Sequence, residues 1–585
     1  MTQKERDEIQ ARIGALPAGN ITYKTINGRK YPYLQWQESG KQRGRRVKAD
    51  EMEALQAGIN ERKRLQSILR EGPAAGPVPQ DLNLTVFSRI GEDLKAFIAP
   101  VLPLRKRDCF TQLQDYLYGS GNDRVLILYG LRRTGKTTMI RQAIAEMDDE
   151  MFSRTAFIQI ASVNNLAQLN QDLRQLEKHG YRYVFLDEVT LMEDFIEGAA
   201  LFSDVFAASG MKIVLSGTDS LGFVFTEDQQ LYDRCILLHT TLIPYREFER
   251  VLGICGIDEY IRYGGTMSIG GLQYNTPTFA TKKSTDEYVD SAIARNIQHS
   301  LRYYQDGGHF RNLYELYQKN ELTSAINRII EDINHAFTLE VLTRHFRSHD
   351  LRTAASNLRR DRHSPSDILD QVDTEAMTEQ LRQMLEIRNQ EEQTVAITEA
   401  HRKEIKEYLD LLDLTYDIPI VHMTDFNTRD SRTIITQPGM RYSQAEALIS
   451  RLILDDAFRT YDLQDRNRAT ERILTEVRGR MMEDIVLLET QMARKDARVF
   501  HLQFAVGEFD MVVFDPQSAS CRIYEIKHSA EAAPEQTRHL RDKKKCAETA
   551  LRFGTIAGKF VIYRGRTKEI DGIQYVNVEE YLRSL

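Results

Sequence analysis

The chain has 585 residues, with 78 basic against 85 acidic side chains and a net charge of −7. That length exceeds what one hydrophobic core serves, so several domains are expected. The acidic balance excludes a global pull towards nucleic acid and leaves any such contact to a local patch. Cys109, Cys235, Cys255, Cys521 and Cys546 show no paired spacing, which argues against a disulfide framework or a zinc site. The charged N-terminus lacks the apolar core of a signal peptide, and no apolar run reaches the ~20 residues that span a bilayer. A cytoplasmic protein without membrane contact is expected.

Residues 1–72 read as a small strand-rich module. Strands at Ile21 to Ile26 and Lys30 to Trp36 flank the hairpin dipeptide Asn27-Gly28, with a third strand near Gly44 to Val47 and a charged helix from about Asp50 to Leu69. Tyr23, Tyr31, Tyr33 and Trp36 interleave with Lys24, Arg29, Lys30, Arg43, Arg45 and Arg46, a composition suited to stacking on bases and pairing with phosphates. It suits equally a sheet whose aromatics pack under the helix while its basic face is solvated. Pro32 predicts an exposed strand edge, which could dock a protein partner. Residues 73–100 read as a linker, on the prolines, alanines and glycines of Gly72 to Gln80.

Residues 101–256 carry the strongest signal. The apolar run Val125 to Tyr129 leads into Gly130-Leu131-Arg132-Arg133-Thr134-Gly135-Lys136-Thr137, and a helical pattern follows. Glycines let successive amides point at phosphates, Lys136 reaches their charge, and the Thr137 hydroxyl can join the shell of a magnesium ion. ATP and Mg2+ are therefore expected as ligands, held by Gly130, Arg133, Thr134, Gly135, Lys136, Thr137 and Thr138. Further apolar strands at Arg154 to Ile160, Tyr183 to Leu186 and Lys212 to Leu215 alternate with helical stretches, which predicts a mostly parallel sheet covered on both faces. The second of these ends in Asp187-Glu188: Asp187 can hold magnesium through water and Glu188 can polarise the attacking water. Ser216-Gly217-Thr218 ends the next strand, and Thr218 is the chosen sensor of the terminal phosphate. Arg234 could supply a finger across a subunit interface of a homo-oligomer, or be a surface ion pair.

Residues 257–345 read as a helical lid, and 346–465 as a winged-helix-like and insertion region. Glu404 to Leu412 and Tyr416 to Val421 fit its last helix and wing, and Arg344 to Thr394 interrupts the pattern. On Gly130 to Thr138, Asp187-Glu188, Ser216-Gly217-Thr218 and Leu242 to Phe248, with Gly264-Gly265 and Asp410 to Ile420 as weaker matches, residues 100 to 585 resemble a known family. It comprises bacterial and archaeal AAA-type ATPases, related to the signal-transduction NTPases, with a C-terminal restriction-endonuclease-like domain. The N-terminal module and the insertion depart from that family.

Residues 466–585 open on a long helix around Thr470 to Met492, and their chemistry lies in two strands. Gly507-Glu508-Phe509-Asp510 leads into Met511 to Phe514, and Glu525-Ile526-Lys527 ends Arg522 to Ile526. This resembles the PD-(D/E)XK nuclease signature: Asp510 and Glu525 would share a magnesium ion, Lys527 would orient or activate water, and Glu483 would add an acid nearby. Glu-x-Lys also occurs at Glu61-Arg62-Lys63 and Glu404-Ile405-Lys406, in helical patterns where it is ordinary surface chemistry. A basic helix around Arg538 to Lys545 could track a phosphate backbone or be a solvated face, and a strand at Lys559 to Tyr563 is expected to close the domain.

The expected fold is thus multidomain α/β: a P-loop AAA-type ATPase with helical lid and winged-helix-like segment, a restriction-endonuclease-like domain and an N-terminal β-rich module. The expected function is an ATPase that regulates a magnesium-dependent DNA endonuclease, and the resemblance alone implies a role in defence against foreign DNA. The alternative is a nucleotide-dependent switch that binds DNA or a protein through an inert nuclease-like domain.

Overall fold

The computed structural model describes residues 12–13, 15–26, 29–38, 41–48, 51–52, 54–55, 58–59, 62, 82–119, 123–218, 223, 231, 233–267, 278–303, 310–357, 396–425, 430–454 and 463–585. The Asn27-Gly28 turn, the Gly72 to Gln80 segment and most of the arginine-rich insertion lie outside them. The chain divides into two units. One comprises Met1–Leu128, Thr137–Gly217 and Phe225–Leu238, the other Tyr129–Lys136, Thr218–Val224 and His239–Leu585.

In the first unit, β1 (Asn20–Ile26), β2 (Arg29–Glu38) and β3 (Lys41–Arg46) form an antiparallel sheet in that order. Pro32 therefore sits in the central strand, not at an edge. Its carbonyl accepts from Val47 N at 2.9 Å, one step past the last β2–β3 pair, Tyr33 with Arg46. The missing N–H would point the same way, towards Val47, so the proline forgoes only this last bond of the β2–β3 pairing and leaves the rest of both ladders intact. Trp36 packs with Leu34, Val47 and Ile59, so this aromatic serves the core, whereas Arg43, Arg45 and Arg46 are exposed.

A six-stranded sheet follows, in the order β4-β6-β7-β8-β5-β9. Its strands are β4 (Ser88–Arg89), β5 (Val125–Tyr129), β6 (Thr155–Gln159), β7 (Tyr183–Asp187), β8 (Lys212–Gly217) and β9 (Cys235–His239). The pairs β6–β7 and β7–β8 are parallel, and β5, β7 and β8 are buried throughout, which is why they read as unbroken apolar runs. The segment expected as a linker supplies β4 and helix α1 (Gly91–Ile98). It is pinned by the buried Asp172 carboxylate, which accepts from Thr85 N and Val86 N at 2.8–3.0 Å. Helix α2 (Lys136–Ala145) lays Met139 and Ile140 on Leu126, Leu128, Phe185 and Val214. Helix α3 (Leu166–Lys178) starts at an Asn165–Gln168 capping box.

The second unit holds the helices α4 (Tyr245–Leu252), α5 (Ile257–Tyr263), α6 (Lys282–Val289), α7 (Leu322–Asn357), α8 (Glu399–Leu411), α9 (Pro438–Ile453) and α10 (Leu463–Ala493). It also holds an eight-stranded sheet with order β11-β10-β12-β13-β14-β15-β17-β16. The strands are β10 (Thr415–His422), β11 (Asp430–Ile435), β12 (Arg498–Gln503), β13 (Glu508–Asp515), β14 (Ser520–Lys527), β15 (Thr555–Tyr563), β16 (Lys568–Ile570) and β17 (Ile573–Asn577). Helix α11 (Lys543–Phe553) makes the crossover from β14 to parallel β15, and α12 (Val578–Ser584) ends the chain. Alternation along β13 covers both faces: Met511 joins the α10 side with Val477 and Met482, and Val512 the α11 side with Phe553.

Three readings change here. The hairpin β10–β11, expected as a wing, continues the eight-stranded sheet, because β10 pairs in parallel with β12, Ile420 opposite His501. The strand at Lys559 to Tyr563 does not close the domain, since a β16–β17 hairpin and α12 follow it. The basic run is not one helix: Arg538 and Arg541 precede α11, whose cap is the Asp542 side chain accepting from Lys544 N and Lys545 N. Among the described residues no helix is long and apolar enough to cross a membrane.

Two buried acids of α10 hold the second unit together, and each makes a prediction. Asp484 Oδ2 accepts from Arg441 Nη1 at 2.6 Å, and its Oδ1 lies 2.8 Å from Arg432 Nη2. Asp484→Ala strands two largely buried guanidinium groups and is expected to cost about 3–5 kcal/mol, read as a lowered urea midpoint. Glu489 Oε1 accepts from Tyr245 N at 2.8 Å and so caps α4, whose own N-cap is Pro244. Burial pushes the Glu489 carboxyl up to about 7, against the pull of the Tyr245 amide. The folded protein then binds more protons than the unfolded chain between pH 4.5 and 7. Its contribution is complete below that window and is lost as pH rises through it, at about 1.4 kcal/mol per pH unit at most. Glu489→Gln should flatten this slope and raise the urea midpoint at pH 8; an unchanged slope would remove Glu489 as its source.

Candidate functional site

The loop that joins β5 to α2 is built by backbone geometry. Gly130 (φ 142°) and Gly135 (φ 92°) occupy conformations that side chains avoid, and a Cβ on Gly130 would come within 2.6 Å of Thr240 Oγ1. Arg133 takes the left-handed region, φ 62°, and its side chain donates to Thr278 Oγ1 at 3.0 Å. Thr134 Oγ1 bonds Leu131 O and Thr240 Oγ1, and Leu131 N donates to Thr241 Oγ1. The Arg132 carbonyl accepts from Tyr288 OH. Lys136 is buried, with Nζ donating to Gly130 O at 2.8 Å and Leu131 O at 2.9 Å. An ammonium gathered over glycine-bent amides is a ready anion site. At Thr218, Asn296 Nδ2 donates to the carbonyl at 3.0 Å and Asn296 Oδ1 lies 3.5 Å from the hydroxyl.

In the first unit, Thr137 Oγ1 donates to Asp187 Oδ2 at 2.8 Å, and Thr138 follows it in the first turn of α2. Asp187 is 2% exposed and its Oδ1 has no hydrogen-bond partner. A buried carboxylate oxygen without a donor, beside a hydroxyl, is a donor set that suits a hard divalent cation. Glu188 follows in the left-handed conformation, φ 60°, a cost of order 1 kcal/mol that turns its half-buried side chain off the strand. The Ser216 hydroxyl is also buried without a partner. Leu186 faces Leu215 in the parallel register, so Ser216 is the cross-strand neighbour of Asp187. The motif Ser216-Gly217-Thr218 was legible, but which hydroxyl it aims was not. Arg234 Nη1 donates to both oxygens of Asp204, at 2.6 and 2.7 Å, and both side chains are half exposed.

In the eight-stranded sheet, Met511 faces Tyr524, which places Asp510 opposite Glu525 on neighbouring strands. Both are 3% exposed. Lys527 Nζ lies 2.6 Å from Asp510 Oδ2 and 2.9 Å from Glu525 Oε2, so the two carboxylates lie within about 6 Å of each other. Asp510 Oδ2 also accepts from Ile526 N at 2.7 Å, and Glu525 Oε1 is buried without a partner. Burial and then the Asp510 charge push the Glu525 carboxyl well above the usual carboxylate range, with Lys527 pulling against them. Burial opposes the charge on Lys527, yet Asp510, Glu525 and Glu483 outweigh it and hold its pKa above the ordinary lysine value. Glu483 is held by Arg480, which also donates to Glu340 at 2.7 Å. Among the described residues no group of three metal-ligating side chains forms; Asp510 and Glu525, the latter with its bare Oε1, are the donor set that fits a divalent ion. Sequence reading missed His501, which bonds Glu508 Oε2 at 3.0 Å beneath this pair.

A family model described as an AAA domain matches residues 122–249, and one described as a domain of unknown function, DUF6788, matches residues 1–57. No curated protein matches the chain. Similar solved structures include the Orc1 protein of Aeropyrum pernix in complex with DNA, at 13% identity and TM-score 0.22, and Cdc6p of Pyrobaculum aerophilum, at 13% and 0.23. Each match covers 62% of this chain and 98% of that one. The Hsp104–ADP complex of S. cerevisiae matches at 11% identity and TM-score 0.19, over 66% of this chain and 48% of that one. The family match falls on the strand, loop and acids just described: residues 122–249 are similar to an AAA domain.

Proposed function

We propose that the chain binds and hydrolyses ATP and that its eight-stranded sheet carries a magnesium-dependent phosphodiesterase acting on DNA under control of the nucleotide state. The loop amides and Lys136 would take the phosphates, Thr137 and Asp187 would hold the metal, Glu188 would orient the attacking water and Ser216 or Thr218 would read the terminal phosphate. In the second centre Asp510 and Glu525 would hold a divalent ion, which when bound supplies Lewis acidity and an activated water. Lys527 places its ammonium where charge develops on the phosphate. The observation that carries this reading is one lysine between two buried carboxylates on paired strands.

A second reading keeps the nucleotide switch and makes the sheet an inert DNA-binding relic. It is favoured by the absence, among the described residues, of a third acid joined to Asp510 and Glu525. A cleavage assay on labelled DNA, with and without ATP, Mg2+ and EDTA, separates the two. Cleavage that EDTA abolishes supports the first, and DNA binding that survives EDTA without cleavage replaces it by the second.

A further inference from the structure

The basic run before and within α11 does not act as one surface. Arg541 Nη2 pairs with Asp571 Oδ2 at 2.8 Å in solvent, and Arg538, Lys543 and Lys544 are exposed. Lys545 alone is folded inwards, at 8% exposure. Its Nζ lies 5.1 Å from the centre of the Phe504 ring and donates to His539 Nδ1 at 2.7 Å. An ammonium carries three donors. Only the one to His539 is met, and no ion pair joins Lys545 to a carboxylate among the described residues. A buried cation with two donors to spare and no counter-ion in contact is costly unless an anion completes it.

The surroundings say which anion. Gly507, φ 78°, packs on this pair so closely that a Cβ there would come within 2.5 Å of His539 Cε1 and 2.6 Å of Lys545 Nζ. Gly507 leads directly into β13, which carries Asp510, while α11 follows the strand that carries Glu525. Burial, and less strongly the Arg538 charge, pull Lys545 below the ordinary lysine value while Asp542, Glu525 and Glu508 oppose that pull, so Glu525 of the carboxylate centre is within electrostatic reach of this ammonium. Two carboxylates that suit a cation, with a spare ammonium beside them, make a site that is negative at one end and positive at the other. A bridging phosphate with its metal satisfies both.

We propose that Lys545, oriented by His539 as a positioning residue, binds a phosphate of the DNA strand presented to the Asp510–Glu525 centre. The inference rests on the phosphodiesterase reading for its substrate. Lys545 thereby differs in kind from Arg538, Lys543 and Lys544, which meet the backbone only from solvent.

The test uses the full chain and a short fluorescein-labelled DNA duplex, with anisotropy titrations at several KCl concentrations and Mg2+-dependent cleavage followed in parallel. Lys545→Met should lower the slope of log K against log salt by about one, the value for one lost phosphate contact, and raise the KM for cleavage. Lys545→Arg should keep the slope because it keeps the charge, and His539→Phe should weaken binding less than Lys545→Met does. A Lys545→Met slope equal to wild type overturns the proposal. So does a Lys545→Arg loss as large as that of Lys545→Met, since the role is then packing. Should wild type bind without ever cleaving while Lys545→Met still loses its unit of slope, the phosphodiesterase reading fails and the phosphate site stands. Should cleavage proceed with Lys545→Met unchanged in slope and KM, the reading stands and this site fails. No binding by wild type at low salt overturns both.

Discussion

Glu188→Gln is expected to bind ATP as wild type does and to hydrolyse it about 100-fold more slowly or worse, the usual loss when a positioned general base is removed. The substitution keeps shape and takes away only the charge that polarises water. Asp187, with its free Oδ1 and its bond to Thr137, remains to hold the metal. Lys136→Ala should instead abolish binding, because the ammonium gathered on Gly130 O and Leu131 O is the fixed charge of the loop. Nucleotide affinity and turnover, measured separately on both variants, test the assignment. Equal turnover in wild type and Glu188→Gln would move the base elsewhere.

The second large effect belongs to the carboxylate pair. Asp510→Asn and Glu525→Gln should each bring Mg2+-dependent DNA cleavage to background while leaving ATP affinity unchanged. Each replaces an anionic oxygen ligand by an amide that magnesium binds poorly. Lys527→Ala should lower the rate with less effect on the Mg2+ concentration required, since an ammonium cannot ligate the ion and acts on the developing phosphate charge. Loss of ATP binding in Asp510→Asn would mean a folding defect and not a ligand loss, so a thermal melt accompanies the assay. Cleavage that survives both substitutions would overturn the site.

Some of this was legible because it is local. Bending the loop needs glycine at two fixed positions, and the cation and hydroxyl that serve a phosphate must follow within a turn of helix, so the eight residues from Gly130 to Thr137 state their own purpose. The resemblance to the PD-(D/E)XK signature implied that Asp510 and Glu525 lie on neighbouring strands, and the register puts them opposite. The N-terminal hairpin was equally plain, since Asn27-Gly28 fixes its own register.

What stayed hidden depends on partners far along the chain. The two residues of β4 carry no periodic signal and become a strand because Phe157 and Ile158 offer them an edge. Nothing near β10 announces that β12 will pair with it, and nothing near Pro32 shows that β3 stops one residue short of it. Lys545 looks like its basic neighbours until the start of α11 turns it inwards onto His539. Glu489 looks like any helical acid until α10 buries it against Tyr245. The sequence by itself determined the nucleotide loop, the acids ending β7 and the carboxylate pair, because spacing along a strand or a turn is a local property. Tertiary structure alone decided which strands share a sheet and which charges lose their water, because pairing and burial are set by the elements that arrive from elsewhere.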